Sequence, residues 1–347
     1  MQRRITRLQT ALLEEKIDLY LDSDPVHISY LTGAEVSTGL LVISKRKAEL
    51  FVDSRYFDAL SHLSTIEVKL ESGRKEWAAS YQKGGLQRVA VPGGRMTYQE
   101  VMQYNTLLGK GVDVIHSEIV ETLRTEKDEE ELAMLSKSAE LLWKGFLHLY
   151  DTLKAGVTEK QLAWEFEQFI RNQGGDGLSF SPIVAFGKNG AYPHYHPQDV
   201  AWKEGAPALI DIGVMYKGYA SDMTRVISKP HLPPQIKELY THTKAAYMAA
   251  KAAAKAGVEV GQLDAIARNE LKKAGLEAYF THSLGHGIGR EVHEQPFLRS
   301  RGSTVLAKNM VCTIEPGVYI PQVGGVRYEN MVVITEGAAK TLLPEEF

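Results

Sequence analysis

The chain has 347 residues, 40 basic and 43 acidic, for a formal charge of −3, and so even a balance argues against a sequence-independent nucleic-acid binder. At 44% apolar and 24% charged it has the composition of a globular enzyme, and its length suggests two domains. Its one cysteine, Cys312, rules out an intrachain disulfide and fits a reducing compartment.

No run approaches the roughly 20 apolar residues of a membrane-spanning helix. The N-terminal pattern is broken by Glu14, Glu15 and Lys16, so no segment of signal-peptide type is expected. A cytoplasmic location is expected. Ile5, Leu8 and Leu12 at helical spacing predict a first helix, and the apolar runs Leu40 to Ile43 and Glu49 to Val52 predict short strands around a polar turn. Strands and helices alternate to about residue 120, the pattern of a small α/β domain. The charged run from Thr125 to Glu131 marks a boundary, giving expected domains of 1–122 and 123–347. Beyond it, long helices are predicted at 129–155, 159–173, 235–256 and 261–274, with strands between.

The second domain contains an internal repeat. Lys154-Ala155-Gly156-Val157 followed by Gln161-Leu162 recurs as Lys255-Ala256-Gly257-Val258 followed by Gln262-Leu263, six identities at a constant offset of 101. In each copy a long helix precedes, a glycine stops it and a second helix follows. Such corners are common, but the repeated context favours a duplicated half-domain with a site between the copies.

Four carboxylates stand in apolar strands. Asp211 lies in Leu209–Met215 and Asp222 in the segment that returns after Tyr216-Lys217-Gly218. If the two are directly opposed, their numbers sum to 433 and the hairpin turns between Tyr216 and Lys217. Opposed carboxylates about 5 Å apart repel unless a cation lies between them; the alternative is that one faces solvent or pairs with Arg225. Glu315 and Glu329 repeat the arrangement with a sum of 644, centred on Gln322 in a Pro/Gly loop. Cys312, three residues from Glu315, falls on the opposite strand face and reads as a packed apolar residue. His286, set among Gly285, Gly287 and Gly289, is placed where backbone or ligand approaches closely. The same glycines argue against a helical zinc pair with His282. His194 lies in a Gly/Pro-rich loop, where functional residues concentrate. His196 and His282 read as structural or surface residues. Four carboxylates and a histidine suit a pair of divalent ions such as Mn²⁺, with Co²⁺, Fe²⁺ or Zn²⁺ as alternatives. Such a pair can deprotonate a shared water for hydrolysis.

At these residues the chain resembles the pita-bread metallopeptidases, and within them the prolidase and aminopeptidase P branch. The motifs are Asp-Ile-Gly at 211–213, Ser-Asp-Met-Thr-Arg at 221–225, Gly-His-Gly-Ile-Gly at 285–289, Ile-Glu-Pro-Gly-Val-Tyr at 314–319 and Val-Arg-Tyr-Glu at 326–329. The resemblance implies a small α/β domain of creatinase type, carrying Tyr30-Leu31-Thr32-Gly33, followed by a pita-bread fold of two pseudo-symmetric αβ halves. It implies that Asp211, Asp222, His286, Glu315 and Glu329 bind two divalent metal ions, Mn²⁺ foremost. By the same resemblance His194 contacts substrate near the scissile bond and His293 stabilises the carbonyl oxygen. Glu315 shuttles a proton from the bridging hydroxide, and Arg327 lies close to the substrate.

The implied activity is hydrolysis of the Xaa-Pro imide bond in dipeptides or short peptides, by a homodimer that engages neither nucleic acid nor membrane. Aminopeptidase P activity on longer Xaa-Pro-Yaa peptides is the alternative. A methionine aminopeptidase is disfavoured by the N-terminal domain, and a non-catalytic relative by the full ligand set. Asn330 and Asn309 depart from the Asp and Gly common at those positions, and Phe297-Leu298-Arg299 departs from prolidases that carry an arginine directly after the proline. His293, seven residues past His286, can reach the site only if residues 287–290 bend the chain back.

Overall fold

The structure, a computed structural model, describes residues 1–109 and 111–346. Lys110 and Phe347, the last residue of the expected second domain, lie outside the described residues. The chain forms two compact units that divide between Arg124 and Thr125.

The first unit is built on a six-stranded mixed sheet, in the spatial order 67–70, 48–52, 40–44, 19–22, 88–91 and 113–116. The central strand Leu19–Asp22 pairs antiparallel with Leu40–Ser44 and parallel with Arg88–Val91. Alternate residues of one strand enter different cores: Leu41 and Ile43 pack with Leu8, Leu12 and Tyr30, whereas Leu40 and Val42 pack with Trp77 and Val89. A strand covered on both faces reads as an unbroken apolar run, which is why Leu40 to Ile43 shows no alternation. The helix Gln2–Glu14 buries Ile5, Leu8 and Leu12, the spacing that predicted it.

The second unit consists of two related αβ halves. Its helices are Glu129–Thr152, Glu159–Asn172, Pro234–Ala253 and Val260–Lys273. The first two begin with capping boxes, Asp128 with Glu131 and Thr158 with Gln161, which satisfy the otherwise unpaired amides of the first turn. The repeat reappears as a backbone pattern. Gly156 N–H donates to the Trp202 carbonyl (3.0 Å) and Gly257 N–H to that of Leu306 (2.8 Å). Glu159 N–H likewise bonds Val200 (3.1 Å) and Val260 N–H bonds Thr304 (3.0 Å). On the helix side the offset is 101 residues, and on the partner segment it is 104. Both glycines have left-handed φ, +92° and +88°, which accounts for glycine at both stops.

The hairpin around Asp211 is shifted by two residues from the expected register. Thr224, not Asp222, lies opposite Asp211, and Met215 lies opposite Ala220, so paired numbers sum to 435. The turn is Lys217-Gly218, both at positive φ (+48° and +73°), the two-residue geometry whose twist matches the flanking strands. An even shift keeps side chains on their face, so Asp222 becomes a diagonal neighbour of Asp211. The second hairpin follows the sum of 644 in two ladders, Ile314 opposite Asn330 and Gly317 opposite Arg327. Glu315-Pro316 on one side and Tyr328-Glu329 on the other separate them. Cys312 is fully buried in the core that contains Ile314, whereas Val311 faces the other core.

Candidate metal centre

Each expected carboxylate ligand sits at or beside a strand end. Asp211 is near the end of Ala208–Ile212, and Asp222 lies between Tyr219–Ala220 and Met223–Ile227. His286 is central in Gly285–Gly287. Glu315 directly follows Val311–Ile314 and Glu329 directly precedes Asn330–Val333, at the gap between the two ladders. There the backbone turns to other partners, with Glu315 N–H bonded to Leu284 and Glu329 N–H to Thr224. All five side chains line one cavity of about 420 Å³ in the second unit.

The charges in this cavity do not balance. The Arg327 guanidinium is the cation bound among the four carboxylates, and each of its nitrogens is engaged. Nη2 holds Asp211, Nε donates to Thr224 Oγ1 (2.8 Å) and Nη1 to the Tyr319 hydroxyl (2.8 Å). The Thr224 hydroxyl in turn donates a hydrogen bond to Glu329 (2.6 Å). Buried oxygens Oδ1 of Asp211 and Oδ1 of Asp222 have no hydrogen-bond partner among the described residues. Burial, then repulsion from Glu329, Asp211 and Glu315, pushes the Asp222 carboxyl well above the usual range. Burial, then Glu329, does the same to Glu315. Burial and Asp211 push Glu329 up to about 7.

His286 behaves in the opposite sense. Burial, then neighbouring His293, lowers its pKa to about 3, so the ring is neutral. Nδ1 donates to the Gly287 carbonyl (3.1 Å), which leaves a lone pair on Nε2 directed at Glu315 (3.3 Å) and Asp222 (3.6 Å). A lone pair facing carboxylates is repulsive unless a proton or cation lies between. One ligand atom each from Asp222, His286 and Glu329 falls within 4.8 Å of the others. An all-oxygen set plus one imidazole, with orphaned buried oxygens, fits divalent metal ions.

Two further expected residues meet here. The chain bends back after His286, with a register shift at His286/Gly287, and returns in Glu294–Leu298. This places the His293 ring 4.3 Å from that of His286, edge to face. Beside this bend Glu294 accepts from Lys127 (2.6 Å), both side chains buried. His194 lines the cavity from the loop after Gly187–Ala191.

His196 and His282, read from the sequence as structural or surface residues, also line the cavity. His282 Nδ1 donates to the Ser283 carbonyl (2.8 Å), so Nε2 accepts from Tyr319 (2.9 Å), which in turn accepts from Arg327. Thr224 and Tyr319 carry no charge that would mark them in a sequence. Their only signal is position, two residues past Asp222 and opposite Gly325 in the hairpin. Arg225 pairs with neither aspartate. It is buried and donates to the Glu329 carbonyl (2.5 Å) and to Asn330 (2.9 Å), so the neutral Asn330 supplies an acceptor. Asn309 has φ +67°, the conformation that glycine adopts easily.

Among known proteins, residues 133–336 match the sequence profile of Metallopeptidase family M24, and residues 4–125 match that of the Creatinase/Prolidase N-terminal domain. The chain is 35% identical to the uncharacterized peptidase YqhT of Bacillus subtilis, over 98% of its own length and 97% of that relative's. Its structure is similar to the Xaa-Pro dipeptidase from Bacillus anthracis, with TM-score 0.92 and 32% identity across 99% of this chain and 98% of that one. It is also similar to the X-Pro aminopeptidase from Thermotoga maritima, with TM-score 0.89 and 31% identity across 98% and 97%.

Proposed function

We propose that this chain, which belongs to metallopeptidase family M24, hydrolyses the imide bond of Xaa-Pro dipeptides. The observation that carries the reading is the convergence of four carboxylates and a neutral imidazole on one cavity, with two buried oxygens left without partners. A cavity of about 420 Å³ suits a dipeptide. The bond before proline has no N–H and a rigid ring on its leaving side, so cleaving it takes a dedicated pocket.

In this reading Asp211, Asp222, His286, Glu315 and Glu329 hold two divalent ions, Mn²⁺ foremost. Bound there, the metals supply a nucleophile at neutral pH and polarise the scissile carbonyl. Glu315, which lines the cavity beside His286, would move the proton from water to the leaving nitrogen. His293 and His194 flank the cavity as donors to the developing oxyanion and the substrate. Arg327 lines the same cavity and braces Asp211. Residues 1–122 are assigned as the creatinase-like domain and 123–347 as the catalytic domain, in a cytoplasmic homodimer. A single cysteine supports the cytoplasmic assignment. Among the described residues no helix is long and apolar enough to cross a membrane.

The test is turnover of Xaa-Pro dipeptides against Xaa-Pro-Yaa peptides with added Mn²⁺, Co²⁺ or Zn²⁺. Dipeptide cleavage that requires metal is expected. Preference for the longer peptides would make the enzyme an X-Pro aminopeptidase, and no metal-dependent turnover of either class would overturn the reading.

A further inference from the structure

Glu159 is fully buried at the first position of the helix Glu159–Asn172, and it lines no part of the cavity. Its carboxylate accepts four hydrogen bonds. Oε1 takes the Phe186 N–H (2.8 Å) and Asn189 Nδ2 (3.0 Å), and Oε2 takes the Tyr195 hydroxyl (2.9 Å) and the Gln198 N–H (2.9 Å). Asn189 also donates to the Tyr195 oxygen (2.9 Å), which closes the network. Every donor comes from residues 186–198, and His194 lies between them, next to Tyr195.

The internal repeat shows that the fold itself does not require this carboxylate. The residue equivalent to Glu159 in the second half is Val260, which is fully buried in an apolar core. It holds the same first position of its helix and makes the matching backbone bond. The same corner is therefore stable with a valine. In the first half a buried charge replaces it, and burying a carboxylate is unfavourable unless several donors satisfy it. All four donors belong to the segment that carries a cavity histidine.

We infer that Glu159 is a positioning residue, holding the 186–198 segment so that His194 meets the substrate. The inference rests on the reading of His194 as a substrate contact. Glu159 touches no reacting atom and acts through the loop.

The test is Glu159→Val, which copies the second half, and Glu159→Gln, which keeps the shape but turns an N–H₂ toward donors. Each is compared with His194→Ala and with the double variants, in metal-loaded full-length enzyme. Metal content, melting temperature, kcat and KM for an Xaa-Pro dipeptide are measured. Expected is a ten- to hundredfold lower kcat at wild-type metal content, roughly what a misplaced supporting contact costs. The double variant should be no slower than His194→Ala alone. Should Glu159→Val not fold, Glu159→Gln answers the same question. Losses that multiply in the double variant, or wild-type kcat in both Glu159 variants, would overturn the inference and leave the reading of His194 standing. Full turnover of His194→Ala alone would remove both.

Discussion

Asp222, Glu315 and Glu329 are each held in a form that opposes their ionisation, and divalent ions relieve that opposition. On the proposed assignment, replacing Asp222 or Glu329 by alanine therefore removes a ligand together with a source of repulsion. Expected is a folded, soluble protein whose turnover falls below detection as its metal content drops. Two equivalents of metal still bound in either variant would contradict the ligand assignment. His293 is a different case, because its ring packs edge to face on that of His286 and the proposed role for it is donor to the oxyanion, not metal ligand. For His293→Ala, metal content near wild type is expected with turnover lower by roughly 10²–10³-fold, the worth of one oxyanion donor. Lower thermal stability with unchanged turnover per folded molecule would make it a structural histidine. At this scale the sequence was legible wherever charge stood out against an apolar strand. Thr224, Tyr319 and Glu159 were not legible, since a hydroxyl in a strand and a glutamate at a helix start are ordinary until their partners are known.

Strand pairing was legible to the extent that turn chemistry constrained it. The sum of 644 follows from a loop with proline at one end and glycines at the other, which leaves little freedom in centring. The first hairpin slipped by two because a two-residue turn needs positive φ at both positions, and glycine belongs at the second, not just outside. Helix positions followed from apolar spacing and stop glycines, each within a few residues. Two glycine substitutions separate backbone strain from close approach. At Gly257 an added Cβ meets nothing within 4 Å, so Gly257→Ala suffers only from its φ of +88° and should lose about 1 kcal/mol in urea unfolding with turnover intact. At Gly285 a Cβ would overlap the Thr313 carbonyl oxygen, in the strand pair that aligns His286 with Glu315. Gly285→Ala should lose both stability and metal. Equal behaviour of the two variants would refute this account of the strand pair.

For the whole molecule, the site couples stability to pH through its metals. In the metal-free protein the raised acids, Glu329 among them at about 7, keep protons that the unfolded chain has released by about pH 6. The folded state then binds more protons, so stability falls as pH rises through the folded values. His282 and His286, lowered to about 4 and about 3, act oppositely, but only below roughly pH 7.5, where the unfolded chain still holds imidazole protons. Metal ions remove the penalty on the ionised acids. The gap in thermal stability between metal-loaded and chelated enzyme should therefore widen as pH rises toward about 7, where the metal-free protein gives up the Glu329 proton. A gap independent of pH would show that those acids are not what the metals relieve. Cys312 has a practical consequence. Its thiol is fully buried and pushed up to about 12, so alkylating reagents have no thiolate to attack in the native protein. A cysteine placed at exposed Tyr192, two residues before His194, would be the sole reactive thiol of the folded enzyme. A fluorophore there would report on the histidine loop alone, with no native residue to mutate away first.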